Sequence, residues 1–202
     1  MSLKNQDKID TVAIFDFDGT FTNKSTTLPF LRFVFPWQFI LLMPFLFPVL
    51  VFFSCRLISI DNLNIFICWL FFKNKPRETI LSWGDMFACT QIPPLLKSEA
   101  INKLKKHQED GHYCILATAA YDIYIKSWAE FYGFDAVVCT VLEVGTNNQF
   151  TGHLSGASCY GLEKAKKVQP WINHNTEIYA YGDSRGDKEI LALADHPFYR
   201  CF

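Results

Sequence analysis

The chain has 202 residues, a length typical of one domain that carries one insertion, and half of its residues are hydrophobic. This composition excludes a long disordered protein. Its 19 lysines and arginines and 20 aspartates and glutamates leave a formal net charge of −1. Without a basic excess to hold phosphates, we expect no nucleic-acid partner.

Seven cysteines and five histidines are scattered along the chain without the spacings of a zinc site. The charged residues Lys4, Asp7, Lys8 and Asp10 precede the first apolar run. We therefore predict no secretory signal and a cytoplasmic location, where thiols stay reduced.

The first predicted element is a short buried strand, from Thr11 to Phe15, and a strongly apolar stretch follows it from residue 28 to residue 72. That stretch holds 11 of the 20 phenylalanines. Its central 23 residues, 33–55, carry no charge. As a helix they would reach roughly 34 Å, enough to cross a hydrocarbon core of about 30 Å.

Three prolines interrupt this apolar stretch, and basic residues flank it. Pro36, Pro44 and Pro48 are expected to break or kink the helix. The second apolar run, residues 62–72, is too short to span a bilayer unbent. Basic residues flank the two runs, as in a segment that rests at the cytoplasmic leaflet: Lys24, Arg32, Lys73, Lys75 and Arg77.

The remaining chain alternates between predicted strands and helices, which favours an α/β fold with a Rossmann-like parallel sheet. Strands are expected at 113–117, 136–144, 149–154 and 177–181, and helices at 97–109, 122–132, 161–168 and 185–194. We therefore assign residues 1–24 and 96–202 to the sheet core and residues 25–95 to an apolar helical cap insertion.

Paired aspartates follow two of the predicted core strands. Asp16 and Asp18 lie on one side of an extended backbone directly after the first strand, and Asp183 and Asp187 follow the strand at 177–181. Because ligands bind at the carboxyl ends of parallel strands, we expect these carboxylates to lie close together. Such a cluster of like charges is usually compensated by a divalent cation, and we predict Mg²⁺.

Groups that suit a phosphate are expected at the same edge of the sheet. Thr118 and Ala119 follow the strand at 113–117 and offer a hydroxyl and accessible backbone N–H groups. Lys164 adds a positive charge at the start of a helix. Together these residues predict phosphoryl transfer, with Asp16 as the nucleophile that forms an aspartyl-phosphate and Asp18 as the general acid and base.

The order and spacing of four motifs resemble those of haloacid-dehalogenase-type phosphatases: Asp16-x-Asp18-Gly19-Thr20, Thr118, Lys164 and Gly182-Asp183-x-x-x-Asp187. The resemblance implies that Mg²⁺ is bound by Asp16, by the main-chain oxygen of Asp18 and by Asp183. It implies that Thr118 and Lys164 bind phosphate, and that Asp187 orients Lys164 and metal-bound water.

The insertion after the first motif is similar to the first cap position (C1) of the phosphoserine-phosphatase-like branch, subclass IB. Within that branch, two features resemble the bacterial phosphatidylglycerophosphatases of type C. These are the proline-interrupted apolar stretch and the element Cys159-Tyr160-Gly161-Leu162-Glu163-Lys164. The resemblance implies a lipid phosphate monoester, such as phosphatidylglycerophosphate, as substrate.

A topological constraint limits how the insertion meets a membrane. Asp16 precedes the apolar stretch, whereas Thr118, Lys164 and Asp183 follow it, and all of them must meet at one site. The stretch must therefore cross an even number of times, return as a hairpin or lie on the surface. We favour a hairpin or an interfacial cap at the cytoplasmic face of the inner membrane.

Other interpretations of the sequence stay open. The same chemistry could act on a small soluble phosphate ester, or transfer the phosphoryl group to a second substrate instead of water. The chain could also be a non-catalytic, membrane-attached binding module, and the insertion could form buried cap helices in a soluble dimer. The sequence leaves the headgroup and the oligomeric state undetermined.

Overall fold

A computed structural model describes residues 9–202 of the chain. Its centre is a five-stranded parallel sheet that consists of β1 (Thr11–Phe15), β2 (Tyr113–Tyr121), β3 (Ala136–Thr140), β6 (Glu177–Gly182) and β7 (His196–Tyr199). The order of the strands across the sheet is β3-β2-β1-β6-β7. A second, antiparallel sheet pairs β4 (Leu142–Val144) with β5 (Phe150–Leu154). The predicted α/β class with a parallel core sheet is confirmed.

Helices flank the sheet and fill the segment between β1 and β2. In chain order they are α1 (Thr27–Val34), α2 (Pro36–Ser54), α3 (Ile60–Ile67), α4 (Arg77–Thr90), α5 (Ser98–Glu109), α6 (Asp122–Phe131), α7 (Leu162–Val168) and α8 (Lys188–Leu193). A π-helical segment, Cys68–Phe72, continues α3. Short 3₁₀ turns occur at Pro93–Leu95, Gln169–Trp171 and Arg185–Asp187.

The central strand β1 is buried on both faces, which explains its continuous apolar sequence. Ala13 and Phe15 belong to the larger hydrophobic cluster, which includes residues from the helices of the insertion. Val12 and Ile14 belong to a smaller cluster with residues of α7 and α8. Because side chains alternate along a strand, these two sets point to opposite faces of the sheet.

Two features of the sheet differ from the sequence prediction. The strand expected at 136–144 is divided at Val141, so that its first part joins the parallel sheet and its second part pairs with β5. Strand β7 was not predicted at all. It has only four residues, includes Pro197 and lies at the edge of the sheet, where a missing N–H is tolerated.

The prolines were expected to break or kink the apolar run, and the helix does break at Pro36, because α1 ends at Val34 and α2 begins at Pro36. Pro44 and Pro48, in contrast, do not break α2. It continues for 19 residues with Pro44 and Pro48 inside it, while Pro36 occupies the first turn, where a missing N–H costs nothing. Leu46 is the only buried residue of the helix, and Trp37 and Leu41 are 84% and 73% exposed. By length and composition, α2 could cross a membrane.

The chain turns after α2 and returns through α3 and the π-helical segment. The side chain of Gln38, at the start of α2, donates a hydrogen bond of 3.1 Å to the carbonyl of Leu70, near the end of the returning segment. The two apolar runs of the sequence therefore lie side by side as an antiparallel helical hairpin.

Close contacts attach the insertion to the core. Gly84 of α4 approaches the carbonyl of Ile123 in α6 so closely that a Cβ atom would overlap it. The buried Asn64 of α3 donates to Ser158 Oγ at 2.9 Å and accepts from Tyr121 Oη at 2.9 Å. These polar contacts fix α3 beside the end of β2, and so they fix the insertion close to the edge of the sheet where the predicted site lies.

Candidate active site

A buried lysine joins two of the predicted aspartates. Asp16 follows β1, and its N–H donates to the carbonyl of Tyr181 in β6 at 2.9 Å. Lys164 Nζ lies 2.6 Å from Asp16 Oδ1 and 2.6 Å from Asp187 Oδ1, and all three side chains are buried. Because burying an unpaired charge is costly, each of these three buried groups depends on the opposite charge of its partner.

The turn after β6 orients Asp187. Its second carboxylate oxygen accepts hydrogen bonds from the N–H groups of Asp183 and Ser184, at 3.2 and 2.9 Å, and from Ser184 Oγ at 2.8 Å. Ser184 in turn accepts from Gly186 N, which completes a capping box at the 3₁₀ turn. Gly182 is required here because a Cβ atom would overlap the Asp187 side chain.

The carboxylates at this edge fit a divalent cation. Oxygen atoms of Asp16, Asp183 and Asp187 lie within 4.8 Å of one another. Asp183 Oδ1 is buried and has no hydrogen-bond partner among the described residues, so its lone pairs are available to a ligand. Both Asp187 oxygens already accept hydrogen bonds, which leaves Asp16 and Asp183 as the carboxylates best suited to hold Mg²⁺.

Asp18 faces the insertion instead of this carboxylate cluster. Its Oδ1 accepts hydrogen bonds from Thr26 N at 2.9 Å and Thr26 Oγ1 at 2.7 Å, and its Oδ2 accepts from Ser25 Oγ at 3.3 Å. Thr26 Oγ1 also lies 3.1 Å from Tyr124 Oη. The predicted metal ligands included the main-chain oxygen of Asp18. The observed orientation of the Asp18 side chain is compatible with that role.

Two of the predicted phosphate-binding residues, Thr118 and Ala119, lie in an irregular part of β2. Pairing with β1 ends at Leu116, and pairing with β3 is interrupted between Ala117 and Tyr121. The strand was predicted to end at Ala117. The structure extends it to Tyr121, where pairing with β3 begins again after the bulge. Thr118 is buried, and its Oγ1 accepts from Ala120 N at 3.1 Å, so the bulge turns the Thr118–Ala120 backbone out of the ladder.

Burial and neighbouring charges shift the ionisation of these groups. Burial raises the pKa of Asp16 to about 7 although the charge of Lys164 opposes the shift. Burial raises the pKa of Asp18 to about 6 against its hydrogen bonds from Thr26 and Ser25. Burial lowers the pKa of Lys164, but the two facing carboxylates outweigh it and the pKa lies above its ordinary value.

Three residues that were not predicted contact the site. Thr26 and Ser25 bind the carboxylate of Asp18, and Lys97 Nζ donates to the carbonyl of Gly19. Gly19 has a φ of +89°, and a Cβ atom there would overlap the Asp183 carboxylate. The hydroxyl pair Ser25-Thr26 just before the apolar helix resembles a helix start, and that signal could have drawn attention to it.

A comparison with protein-family models gives a match over residues 13–192, to the model described as haloacid dehalogenase-like hydrolase. The chain belongs to the haloacid dehalogenase-like hydrolase family. The match begins within β1 and ends within α8, so it includes all of the residues at the site described above.

Relatives of this hydrolase are similar to it over different lengths of the chain. Protein CicA of Caulobacter vibrioides (strain NA1000 / CB15N) is 29% identical over 191 residues, which are 93% of this chain and 85% of CicA. A histidinol-phosphatase of Neisseria meningitidis serogroup C is 21% identical over 128 residues, 60% of this chain and 58% of that enzyme. With a histidinol-phosphatase among its relatives, the predicted enzyme class, a phosphoric monoester hydrolase, is confirmed.

Solved structures share the fold of this hydrolase. A protein of unknown function from Bordetella pertussis Tohama I superimposes with a TM-score of 0.82 at 20% identity, covering 94% of this chain and 89% of that one. A substrate-bound phosphoserine phosphatase superimposes with a TM-score of 0.62 at 19% identity, covering 93% and 84%. The predicted resemblance to the phosphoserine-phosphatase-like branch is confirmed at the level of fold.

Proposed function

We propose that this hydrolase removes the phosphate monoester of a membrane lipid, such as phosphatidylglycerophosphate, by way of an aspartyl-phosphate. The observation that carries the proposal is an exposed apolar helix, α2, on an insertion whose first residues bind the carboxylate of Asp18. The insertion would hold the site close to a bilayer, and its first residues contact Asp18, the proposed acid–base residue.

In the first half of the reaction, Asp16 is the nucleophile. Its carboxylate oxygen attacks phosphorus, and the bond from phosphorus to the lipid oxygen breaks. Asp18 donates a proton to that leaving oxygen. Thr118 and Ala119 bind the phosphoryl oxygens, and Lys164 stabilises their charge while Asp187 holds the ammonium group in place.

In the second half, water attacks the phosphorus of the aspartyl-phosphate, and Asp18 takes the proton that the water gives up. The acyl-phosphate bond breaks, inorganic phosphate leaves and the Asp16 carboxylate is restored. When bound by Asp16, Asp183 and the main-chain oxygen of Asp18, Mg²⁺ would neutralise negative charge on the phosphoryl group.

The location that we propose is the cytoplasmic face of the inner membrane. A single crossing would separate Asp16 from Lys164 and Asp183, whereas a hairpin returns the chain to the same side. The antiparallel arrangement of α2 with the segment Ile60–Phe72 supports such a hairpin. Because the returning segment is shorter than α2, we favour shallow insertion into one leaflet.

Phosphate release from two kinds of substrate tests the proposal. Purified protein with Mg²⁺ should release phosphate from phosphatidylglycerophosphate in mixed micelles, and at least about 10-fold more slowly from a panel of soluble phosphomonoesters, because lipid contacts add binding energy. Turnover of soluble esters alone would contradict the lipid assignment. No release from either would support the non-catalytic binding module.

Membrane binding is tested by charging the exposed face of α2. Leu41 and Phe45 are 73% and 64% exposed, so Leu41→Glu/Phe45→Glu should fold normally. Losing two apolar side chains from the bilayer should weaken vesicle binding by about 100-fold or more. The matched control is Phe131→Glu/Leu193→Glu, which charges exposed apolar residues of α6 and α8. Equal binding by both double variants in a vesicle sedimentation assay would contradict a membrane role for α2.

A second candidate is a phosphatase for a small soluble ester. It is favoured by the histidinol-phosphatase relative and by the fold shared with a phosphoserine phosphatase. In that case the apolar hairpin would serve as an anchor or as a contact between subunits, and the substrate panel described above would identify it.

A further inference from the structure

A groove of about 640 Å³ runs along α1 inside the insertion. Its floor is one face of that helix, with Leu28, Pro29, Arg32 and Phe33 at the spacing that places residues on the same side. Phe39 of α2 forms part of a wall, so the groove is bordered by the apolar helix that we propose to contact lipid.

The groove is linked to the candidate active site through the segment Lys24–Thr26. Lys24 lines the groove, and the next two residues, Ser25 and Thr26, bind the carboxylate of Asp18. The carbonyl of Lys24 is also fixed, because it accepts a hydrogen bond of 2.8 Å from Thr22 Oγ1. A ligand whose reacting phosphate lies at Asp16 could therefore extend past Asp18 into the groove.

The charged residues of the groove are all basic. Lys24 and Arg32 are exposed and form no ion pair within the described part of the chain, and no acidic residue belongs to the lining. Two cations set among apolar side chains suit an anion that is attached to hydrocarbon. They do not suit the cationic or zwitterionic end of a small amino-acid ester.

We infer that this groove binds the second phosphate of the substrate, a phosphodiester that joins the reacting headgroup to the acylated glycerol. Lys24 and Arg32 contact that diester phosphate, and Leu28, Phe33 and Phe39 contact the first acyl carbons. This inference rests on the proposed function, and it adds a specificity: a phosphomonoester attached directly to diacylglycerol lacks the group that the two cations bind.

A competition between two lipids in one micelle tests the specificity. Wild-type protein should prefer phosphatidylglycerophosphate over phosphatidic acid in kcat/KM. In Lys24→Gln/Arg32→Gln the preference should fall by about 10-fold to 100-fold, since each charge-assisted contact is lost. The double variant should lose much less of its kcat/KM for p-nitrophenyl phosphate than for phosphatidylglycerophosphate, because the former has no second phosphate.

The matched control removes one lysine and one arginine of the insertion that lie outside the groove. Lys73→Gln/Arg77→Gln changes the net charge equally, and both residues are exposed and lie outside the groove. The control should keep the preference in nonionic micelles. An equal loss in both double variants, or an unchanged preference in Lys24→Gln/Arg32→Gln, would overturn the inference.

A binding measurement separates this inference from the proposed function. The Asp16→Asn variant should bind the deacylated headgroup, glycerophosphoglycerophosphate, at least about 10-fold more tightly than glycerol 3-phosphate in calorimetry. Adding Lys24→Gln/Arg32→Gln should remove that difference. If wild-type protein hydrolyses no lipid but the difference persists, the proposed function is wrong and the groove assignment stands. If the two ligands bind equally, the groove assignment is wrong whatever the lipid activity.

Discussion

Replacing Asp16 by asparagine is expected to reduce phosphate release by at least about 10,000-fold. The carboxamide of asparagine cannot form an acyl phosphate. Residue 16 directly follows the central strand, where Lys164 contacts both Asp16 and Asp187. Phosphate release should be measured under saturating substrate with Mg²⁺ present. Because asparagine keeps the shape of the side chain and still accepts a hydrogen bond from Lys164, the variant should remain folded.

The control for this variant is Asp85→Asn, which changes an exposed aspartate of α4 by the same atoms. It should retain full activity. A residual rate in Asp16→Asn above about one hundredth of the wild-type rate would mean that water attacks the substrate directly. Such a result would overturn the aspartyl-phosphate route but leave a hydrolase.

Replacing Lys164 by methionine is expected to lower the free energy of unfolding by about 3–5 kcal/mol. The ammonium group lies between two buried carboxylates at 2.6 Å from each, and Asp183 adds a third carboxylate nearby. Without the lysine, those charges face one another in a buried site. Urea unfolding should be measured in the presence of EDTA, so that no divalent cation replaces the missing charge.

Lys166→Met is the matched control, on the same helix. Lys166 is exposed and pairs with Glu163 at 2.6 Å, and an exposed pair of this kind contributes at most about 1 kcal/mol. If the two variants unfold at the same urea concentration, Lys164 does not stabilise the carboxylate cluster. The arrangement of these charges would then need another explanation.

The fold class could be predicted from the sequence because it follows from local patterns of apolar and polar residues. All residues from Val12 to Phe15 are apolar, so both faces of this run are apolar, and Thr11–Phe15 forms the central strand with the bounds that were predicted. The spacing of strands and helices then leaves a parallel sheet as the consistent arrangement. The elements that escaped prediction, β7 and the division of the strand at Val141, depend on which neighbour each short segment finds.

The order of Asp16, Thr118, Lys164 and Asp183 along the chain indicated one phosphoryl-transfer site, and the catalytic roles given to these residues remain predictions. Parallel strands bring their carboxyl ends to one edge, so chain order alone predicts that polar groups after different strands converge. Lys164 and Asp16 are 148 positions apart and still form a buried pair. The sequence determined which groups meet because the topology of an α/β sheet is nearly fixed by its pattern.

Only the tertiary structure decided what surrounds those groups. Thr26 binds Asp18, helix α2 continues through Pro44 and Pro48, and Lys24 and Arg32 line one groove. None of these follows from spacing, because each depends on how an inserted segment packs against elements far away in sequence. The sequence therefore determined which chemical groups follow the strands, because motifs are local, whereas the surfaces that surround those groups depend on how the insertion packs.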